Sequence, residues 1–519
     1  MKSVPSFYVE NFGCRATQAD GAAIERQFQE RGLSRAEAPT EAELVVLNTC
    51  TVTASADQDA RAAIRRIHRH NPEARIVVTG CYAQRAPEEI AALSGVAQVI
   101  GNSNKHELAE LALRGFKELS SSNSCAAQNQ SSGTGREIGA EDGPTDLPAS
   151  FVPVTNLSQN WQLTSQNRIF VSDIFAHTEL LAAPVFDAAN ARTRPNLKVQ
   201  DGCGNRCSFC VIPSVRGNSR SLQKNRILQE VNALVSAGYR EVVISGINLG
   251  RWGRDLHQAV EGRAPSLSLA VSENFKPPIF EDLVRSILEE TTLEKLRISS
   301  VEPMDWSDEL IQLMASSPRI AKHAHVPMQS GSDAVLRRMH RKYRPWHYRE
   351  KIEKIRTAMP SAAIGADVMV GFPGETEAEF SETRRMVEDL PFTYLHVFTY
   401  SARPGTPAAA MPHQVPVPIA RERNRILREL AAQKKLAFMM GFLGKPLEAI
   451  TLNLGDANHT ESLTDNYLTL RLEGRHPANR WVSATIKEVQ GGNMIGSLAH
   501  GELAREPKSN QPVFDTMPA

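Results

Sequence analysis

This chain lacks any long apolar run, and that absence limits what it can be. No stretch of its 519 residues approaches the roughly 20 consecutive apolar residues that a helix needs to cross a bilayer. The first residues, MKSVPSFYVENFG, also lack the charged and then apolar pattern of a secretory signal. The sequence therefore predicts a cytoplasmic protein with no membrane partner.

An excess of charge of either sign is missing as well. The chain has 59 Lys and Arg against 58 Asp and Glu, and a net charge of +1 gives no global reason to expect a nucleic-acid partner. Any such partner has to be inferred from local patches. Hydrophobic residues make up 41% and charged residues 23% of the chain, as in an ordinary globular protein. The length suggests roughly two to four domains.

Cysteine is scarce, but three of the seven cysteines lie within eight positions. They are Cys203, Cys207 and Cys210, in the stretch QDGCGNRCSFCVIP. In a reducing compartment such thiols serve more often as metal ligands or catalytic groups than as disulfides. Structural zinc takes four ligands, whereas this loop offers three thiols and no histidine nearby in sequence. Three thiolates suit a cubane iron-sulfur cluster that keeps one iron open to another ligand.

The first hundred residues alternate β-type runs with helical patterns. This alternation predicts a parallel sheet with helices on its faces. Cys14, Cys50 and Cys81 each follow one of three candidate strands. Ligands gather at the carboxyl ends of the strands in open parallel sheets, so these three thiols can meet in space. The alternative, that they are small buried hydrophobic residues, stays open at this point.

Residues 116–190 interrupt this pattern and are interpreted as a linker. Its part from about 118 to 168 is rich in Ser, Gly, Asn and Gln and has few large apolar side chains. Such a composition cannot offset the entropy of ordering, which predicts a disordered insertion. Cys125 lies inside it and is interpreted as a spare thiol. A second irregular stretch runs from 255 to 278.

Between residues 191 and 437 the alternation of strands and helices returns, with six candidate strands. Each ends in polar or Gly-rich residues, which is how a parallel barrel builds its active site. Six units, instead of eight, predict a partial (β/α)6 barrel. Residues 421–435, predicted to be helical, carry an excess of four positive charges. Period-two alternation then predicts a small β-barrel over 438–505, before a tail at 506–519.

These motifs together resemble the radical S-adenosylmethionine (SAM) methylthiotransferase family. The resemblance is carried by NFGCRATQADGAAIE, VVLNTCTVT and VVTGCYAQ ahead of LKVQDGCGNRCSFCVIPSVRGNSRS, and it covers nearly all of the chain except the two insertions. It implies an α/β methylthiotransferase domain over 1–115, a radical-SAM partial barrel and a TRAM-like RNA-binding β-barrel. The chain departs from the family pattern at Thr17, where Asn is expected shortly after the first cysteine.

The resemblance implies two 4Fe-4S clusters as cofactors. Cys203, Cys207 and Cys210 would hold the cluster that chelates and reduces SAM. An auxiliary cluster, which carries the sulfur to be inserted, would be held by Cys14, Cys50 and Cys81. The cleavage of SAM generates a 5'-deoxyadenosyl radical that removes hydrogen from an aromatic C–H, a bond that acid-base groups alone do not activate. No side chain is assigned a catalytic role of its own, and a second SAM methylates the sulfur.

By the same resemblance, residues at the strand ends contact SAM. The candidates are Phe209, Ser245, Gly246, Asn248, Glu302, Gln329, Ser330, Asp367 and Gly371. Glycines such as Gly371 remove side chains where the backbone approaches a ligand closely, although they also shape turns. Glu302 can equally be a structural carboxylate at a strand end.

Three branches of the family act on different targets. They are threonylcarbamoyladenosine in tRNA, isopentenyladenosine in tRNA, and an aspartate of a small-subunit ribosomal protein. The stretches from NTCTVTAS to VVTGCYAQ, VSDIF and RTRPNLKVQDGC resemble the first branch, which implies a methylthio group at C2 of the modified adenine next to the anticodon. An electron donor such as flavodoxin or ferredoxin and a sulfur source are implied partners. The other two targets stay open, as do a non-catalytic iron-sulfur RNA-binding protein and a zinc-organised scaffold.

One local run of positive charge gives separate support for an RNA partner. The run RRMHRKYR offers Arg337, Arg338, Arg341, Lys342, Tyr343 and Arg344 as RNA-binding candidates. The cations would neutralise phosphates, and the tyrosine would stack on an unpaired base. Most charged runs are merely solvated faces, so that alternative stays open.

Overall fold

The computed structural model describes residues 5–114, 168–177, 180, 193–256 and 278–499. The predicted insertion with Cys125, nearly all of the second irregular stretch and the tail at 506–519 lie outside the described residues. The chain divides into two compact units. The first comprises Met1–Glu10, Ile24–Thr49 and Gln58–Asp173, and the second comprises Asn11–Ala23, Cys50–Asp57 and Ile174–Ala519.

The first unit is built on a six-stranded sheet with the order β2-β1-β3-β4-β5-β6. The strands are β1 (Ser6–Asn11), β2 (Ser34–Arg35), β3 (Leu44–Thr49), β4 (Arg75–Gly80), β5 (Val96–Gly101) and β6 (Ile169–Phe170). β2 pairs in parallel with β1, and β3 to β6 pair in parallel with one another. The predicted parallel α/β sheet is confirmed, and β2, β5 and β6 extend it beyond the three strands read from the sequence.

The central strands β3 and β4 of this sheet are buried on both faces. Every residue of β3 is buried, as expected for a parallel strand that lies between two layers of helices. The helices next to it in sequence are Arg15–Glu30, Ala54–His70, Cys81–Arg85 and Pro87–Ala91. The carboxyl ends of β3 and β4 lie at the same edge of the sheet, since Thr49 is the register partner of Gly80.

Six parallel strands of the second unit follow one another in chain order. β7 (Asn196–Lys198), β10 (Glu241–Ser245) and β11 (Lys295–Ile298) form one sheet, and β12 (His323–His325), β13 (Ala363–Val370) and β14 (Tyr394–Thr399) form the next. Parallel bridges from Leu296 to Ile320 and from Ser300 to His325 connect the two sheets. The predicted partial barrel is therefore confirmed. Two short strands, β8 (Gln200–Asp201) and β9 (Arg220–Ser221), pair antiparallel beside it.

The outer helices of the barrel cover one face of its strands and leave the other face toward the barrel interior. Those described are Ile212–Arg216, Lys224–Ser236, Phe280–Glu290, Asp308–Ser316, Asp333–Arg338, Pro345–Ala358, Glu377–Asp389 and Val417–Met440. On β13, Ala366, Val368 and Val370 are fully buried in the core under these helices. Because side chains alternate along a strand, Gly365, Asp367 and Met369 face the interior of the barrel. No helix among the described residues is both long and apolar enough to cross a membrane.

The C-terminal region forms a closed barrel with the strand order β15-β16-β17-β19-β18. Its strands are β15 (Pro446–Gly455), β16 (His459–Thr464), β17 (Thr469–Glu473), β18 (Trp481–Gln490) and β19 (Asn493–Leu498). Leu468, Leu470 and Leu472 are buried in its core, as are the alternating apolar residues of β18. The β-barrel that the period-two pattern predicts, consistent with a TRAM domain, is thus confirmed.

Candidate functional site

Cys203, Cys207 and Cys210 lie on the loop between β8 and the helix Ile212–Arg216. All three are free and partly buried. Gly202 opens the loop with φ of 71°, and a Cβ atom on it would lie 1.9 Å from the backbone oxygen of Asn218. Only glycine satisfies both constraints, so this residue determines how the cysteine loop leaves the strand.

Hydrogen-bond donors surround two of these sulfur atoms. The backbone N–H of Asn205 donates to Sγ of Cys203 over 3.4 Å, and Nδ2 of Asn248 donates to the same sulfur over 3.7 Å. Nη1 of Arg341 donates to Sγ of Cys207 over 3.3 Å. Donors and a cation at this range favour thiolate, the form that binds iron. The donor set therefore fits a cluster held by this loop.

Burial acts against these donors at two of the cysteines. It raises the pKa of Cys203, and it raises the pKa of Cys210 to about 12. In the cluster-free protein Cys210 is consequently protonated at neutral pH. A metal that binds here must displace that proton, which couples cluster assembly to pH.

Three buried polar atoms beside this loop have no hydrogen-bond partner among the described residues. They are Oδ1 of Asn205, Oγ of Ser245 and Oδ1 of Asn248. Ser245 and Asn248 belong to the end of β10 and the turn that follows it, and the backbone N–H of Asn248 donates to Oε1 of Gln200 over 2.7 Å. Nearly all buried polar atoms in folded proteins are paired, so these three indicate room for a polar ligand.

The other predicted SAM contacts fall into two groups: some lie near the cysteine loop, and others are explained by the fold itself. Phe209 packs edge-on against Phe372 at a ring distance of 6.4 Å, and Glu302 forms an ion pair with Arg341. A Cβ atom on Gly246 would lie 2.9 Å from Oε1 of Gln200. These three positions are close to residues of the cysteine loop or its strand.

Gln329, Ser330 and Gly371 have roles in the fold itself. Gln329 adopts φ of 61°, and the hydroxyl groups of Ser330 and Thr383 are hydrogen-bonded at 3.0 Å. Gly371 has φ of 73°, and a Cβ atom on it would lie 2.6 Å from Cβ of Ala420. The packing of the helix Val417–Met440 therefore accounts for this glycine without a ligand.

The N-terminal cysteines lie at strand ends. Cys50 and Cys81 directly follow the register partners Thr49 and Gly80. A Cβ atom on Gly13 would lie 2.5 Å from Cβ of Cys50, so the glycine before Cys14 allows that segment to pack against Cys50. Cys14 is exposed, whereas Cys50 and Cys81 are buried.

Cys81 has a polar neighbour that the sequence pattern did not reveal. Nδ2 of Asn102 lies 3.5 Å from its Sγ, at hydrogen-bond distance for sulfur. Asn102 follows β5, a strand absent from the sequence-based prediction, so no signal pointed to it. The N-terminal thiols thus have at least one side-chain donor of their own.

A buried charge network joins the helix after Cys14 to the strands before Cys203. Lys198 forms ion pairs with Asp20 and Asp201, the latter at 2.8 Å. Arg216 binds Oδ1 of Asp201 at 2.9 Å and Oδ2 of Asp20 at 3.0 Å. Burial raises the pKa of Asp201, but Arg216 and Lys198 outweigh it and hold that pKa well below its usual range. Thr17 is buried beside this network, with Oγ1 3.5 Å from Nη2 of Arg216.

A second buried ion pair holds the segment after Cys50. Asp57 pairs with Arg403, and it accepts a hydrogen bond of 2.6 Å from Oγ1 of Thr51. Nη2 of Arg403 donates to the same hydroxyl over 3.0 Å. Both Asp57 and Arg403 are buried. Neither network is visible in the sequence, because Lys198 and Asp20 are 178 positions apart and Arg403 and Asp57 are 346 positions apart.

The expected RNA-binding run is largely occupied by contacts within the protein. Arg337 pairs with Asp333 at 2.8 Å, and Arg338 pairs with Glu379 at 2.8 Å. Tyr343 is only 1% exposed and donates to the backbone oxygen of Met328 over 2.6 Å. The expectation that its ring is available for base stacking is therefore wrong. The remaining candidates are the buried Arg341, the half-buried Arg344, which pairs with Asp333, and the exposed Lys342.

Two family models match the chain. One is described as "Uncharacterized protein family UPF0004" and matches residues 6–101, and the other is the "Radical SAM superfamily", which matches residues 197–387. The second match covers the cysteine loop and the barrel strands β7 to β13. Fold and site thus define an enzyme of the radical-SAM class, which binds an iron-sulfur cluster and SAM.

Several proteins are similar over most of this chain. Threonylcarbamoyladenosine tRNA methylthiotransferase MtaB of Bacillus subtilis (strain 168) is 33% identical over 466 residues, which cover 89% of each chain. The MtaB protein of Aquifex aeolicus (strain VF5) is 32% identical over 92% of this chain and 99% of its own length. A tRNA-2-methylthio-N(6)-dimethylallyladenosine synthase of Thermobifida fusca (strain YX) is 29% identical, with 95% and 87% covered. The chain therefore belongs to the radical-SAM methylthiotransferase family.

Proposed function

We propose that this protein transfers a methylthio group to C2 of N6-threonylcarbamoyladenosine next to the anticodon of tRNA. The supporting observation is its identity of 33% and 32% to two MtaB proteins over about nine tenths of the chain. The dimethylallyladenosine relative is similar over a comparable length at 29%, which makes isopentenyladenosine the second candidate substrate.

The thiols of Cys203, Cys207 and Cys210 are assigned to the cluster that binds SAM. Bound there, the cluster would supply an electron for the cleavage of SAM, the chemistry by which radical-SAM enzymes activate an unreactive C–H bond. The chain itself supplies the donors from Asn205, Asn248 and Arg341 to the sulfur atoms. The unpaired polar atoms of Ser245 and Asn248 are assigned to SAM. The remaining SAM contacts, at Phe209, Gly246, Glu302, Gln329, Ser330, Asp367 and Gly371, stay predictions.

A second 4Fe-4S cluster is assigned to Cys14, Cys50 and Cys81. In support, Cys50 and Cys81 follow neighbouring strands of one sheet, and Gly13 leaves space for Cys14 to approach Cys50. Asn102 offers a donor at Cys81. This cluster would carry the sulfur to be inserted, and an electron donor and a sulfur source belong to the same proposal.

Contact with tRNA is assigned to exposed positive charge and to the C-terminal barrel. Lys342 is exposed and has no ion-pair partner within the described part of the chain. An anticodon loop presents unpaired bases, so moving one adenine into the barrel costs little unstacking energy.

The first test is nucleoside mass spectrometry of bulk tRNA from cells with and without this protein. We expect methylthio-threonylcarbamoyladenosine to disappear and its unthiolated precursor to accumulate. Loss of the methylthiolated isopentenyladenosine, or of methylthioaspartate in the ribosome, would support methylthiotransferase activity but refute the proposed substrate. Unchanged tRNA and ribosomal protein would refute the proposed activity.

The assignment of two clusters is tested by two single substitutions. Cys50→Ala is expected to retain the formation of 5'-deoxyadenosine and to abolish sulfur insertion, because only the auxiliary cluster loses a ligand. Cys207→Ala is expected to abolish both reactions. Iron and sulfide analysis should show the loss of about one cluster in each variant. Full methylthiolation by Cys50→Ala contradicts the auxiliary assignment.

A further inference from the structure

The interior face of β12, β13 and β14 carries a compact group of polar side chains. Asp367 on β13 is the register partner of His396 on β14, and His325 on β12 is the partner of Gly365, two residues before Asp367. The nitrogen or oxygen atoms that the three side chains can offer lie within 4.8 Å of one another. Three neighbouring strands therefore present their polar atoms to one point.

The polar atoms of this group are incompletely used by the protein. Nε2 of His325 is buried, lies 3.3 Å from Oδ1 of Asp367 and has no hydrogen-bond partner in the described part of the chain. No Arg or Lys among the described residues forms an ion pair with Asp367. His396 is exposed, and no hydrogen bond of its ring to a described residue is found. The group is thus open to a ligand that both donates and accepts hydrogen bonds.

Desolvation determines the protonation state of one of these histidines. Partial burial lowers the pKa of His396 and the neighbouring His325 lowers it further, while Asp367 acts in the opposite direction without reversing the shift. At neutral pH the ring of His396 is therefore uncharged, with one N–H donor and one acceptor nitrogen. Asp367 contributes acceptors only.

Aromatic rings flank the group along the same strand face. The ring of Tyr394 lies 5.9 Å from that of His325 at an angle of 12°, and 5.3 Å from that of His396. Phe398, two residues beyond His396, is 47% exposed. Because alternate residues share a face, Phe398 lies on the same face as His396, with its Cα atom about 6.6 Å further toward the carboxyl end of the strand. A base stacked on Phe398 would place a substituent within reach of the polar group.

A cation without a carboxylate partner lies at the other end of this ring cluster. Nη2 of Arg15 donates to the hydroxyl of Tyr467 over 2.9 Å, and no ion pair of Arg15 is found among the described residues. The Tyr467 ring lies 6.1 Å from that of Tyr394. By contrast, Arg297, which also contacts Tyr467, is neutralised by Glu241.

We propose that His325, Asp367 and His396 form the subsite that recognises the polar N6 substituent of the target adenosine, with Phe398 as the platform for its base. This proposal rests on the proposed function, specifies which residues select the substrate, and assigns the Asp367 side chain to the substrate in place of the SAM contact predicted from the family resemblance. A threonylcarbamoyl group carries a urea, a hydroxyl and a carboxylate. The urea N–H groups and the hydroxyl match Asp367, the urea oxygen matches the two imidazoles, and the carboxylate matches Arg15.

The same subsite disfavours an isopentenyl substituent. A hydrocarbon group offers no partner to His325, Asp367 or His396, so binding would leave these polar atoms desolvated and unpaired. Sites that hydrogen-bond a substrate group discriminate strongly against analogues that lack it. The polarity of the barrel interior thus selects between the two tRNA substrates that relatives of this chain modify.

The test uses the full-length holoenzyme and three anticodon stem-loop RNAs, which carry threonylcarbamoyladenosine, isopentenyladenosine or adenosine at the target position. Initial rates of methylthio product formation give kcat and KM for the wild type, His396→Leu and His396→Asn. We expect His396→Leu to reduce kcat/KM on the threonylcarbamoyl RNA by about 10- to 100-fold, mainly through KM. His396→Asn, which keeps a donor and an acceptor, is expected to recover part of this loss.

Controls separate recognition from damage to the clusters. Iron and sulfide contents are measured in the wild type and His396→Leu, so that a variant with damaged clusters is recognised before its kinetic constants are compared. His347→Leu, which replaces an exposed histidine of the outer helix Pro345–Ala358, is expected to leave both kinetic constants unchanged.

The outcomes distinguish this proposal from the proposed function. A wild-type enzyme that modifies only the isopentenyl RNA overturns both. A wild-type enzyme that modifies the threonylcarbamoyl RNA, with the same substrate ratio in His396→Leu, overturns the subsite alone. The subsite is also overturned if the holoenzyme binds Mn²⁺ stoichiometrically and His396→Leu loses the ion without any change in the substrate ratio.

Discussion

At the scale of single residues, identical cysteines have different properties because their surroundings differ. Cys14 is exposed, whereas Cys50 and Cys81 are buried behind strand ends. The sulfur of Cys207 accepts a hydrogen bond from Arg341, while Cys210 is dominated by desolvation. The spacing of the cysteines indicates a shared ligand, but the ease with which each thiol ionises depends on its neighbours.

The raised pKa of Cys210 predicts slow alkylation in the folded, cluster-free protein. An ordinary cysteine has a pKa of about 8.5. At pH 8.5 the folded protein keeps Cys210 protonated, since its pKa is about 12, whereas the unfolded chain is about half ionised. We expect iodoacetamide to modify Cys210 at least about tenfold more slowly in the folded protein than in urea, as measured by peptide mass spectrometry.

The raised pKa of Cys210 also makes the stability of the folded protein depend on pH. Folding raises the pKa of Cys210, so its contribution to stability is complete below about pH 8.5 and declines as the pH rises toward 12. Equal alkylation rates in the folded and unfolded protein at pH 8.5 would contradict the assigned burial. Cys14, which is exposed, provides the internal reference for reagent access.

At the scale of elements, buried ion pairs hold helices and loops that carry the candidate cluster ligands. The helix Arg15–Glu30 contacts the barrel strands through Asp20, and the helix Ala54–His70 contacts the loop after β14 through Asp57. A buried ion pair adds little net stability relative to an apolar pair of the same shape. Removing one partner is costly, because the other charge stays buried without compensation.

Asp57 and Asp59 provide a matched comparison on one helix. Asp57→Ala leaves the buried Arg403 without its carboxylate and is expected to destabilise the second unit by about 3–5 kcal/mol. Asp59→Ala removes an exposed carboxylate and is expected to change stability by less than about 0.5 kcal/mol. Urea unfolding, followed by the fluorescence of the buried Trp252 and Trp306, measures both. Similar unfolding midpoints for the two variants would show that the ion pair is not formed.

At the scale of the whole molecule, the C-terminal barrel is tied to the partial barrel by polar contacts. Nη1 of Arg297 donates to the backbone oxygen of Asp465 over 3.0 Å, and Lys295 pairs with the side chain of Asp465 at 3.2 Å. Nδ2 of Asn466 donates to the backbone oxygen of Ser361 over 3.1 Å. The turn between β16 and β17 is thus docked against the amino-terminal ends of the barrel strands.

The segment from about 118 to 168 is predicted to be dispensable. It falls almost entirely outside the described residues, and its composition alone suggests that it buries too little apolar surface to contribute to a core. Deleting residues 118–168 is expected to change kcat/KM for methylthiolation by less than about twofold, because a segment of this composition has little apolar surface to bury. Methylthio-nucleoside analysis of tRNA in a complemented deletion strain measures this, and loss of the product would assign the segment a role.

The sequence by itself predicted the order of the domains and identified the cysteines that could bind a metal cluster. Alternation with period two at Leu468, Leu470 and Leu472 predicted the C-terminal barrel, since one face of each strand must be buried. The cysteine spacing at 203, 207 and 210 predicted a metal-binding loop. Both signals are local, because they depend on residues that are close along the chain.

Only the tertiary structure decided which polar side chains act together. Tyr343 was expected to stack on RNA but is buried, and Asp57 and Arg403 pair although they lie far apart in sequence. Asp367 and His396 meet because β13 and β14 pair in one register, and a shift of one residue would turn them to opposite faces. Register and long-range charge pairing depend on how distant segments pack, which local sequence patterns do not encode.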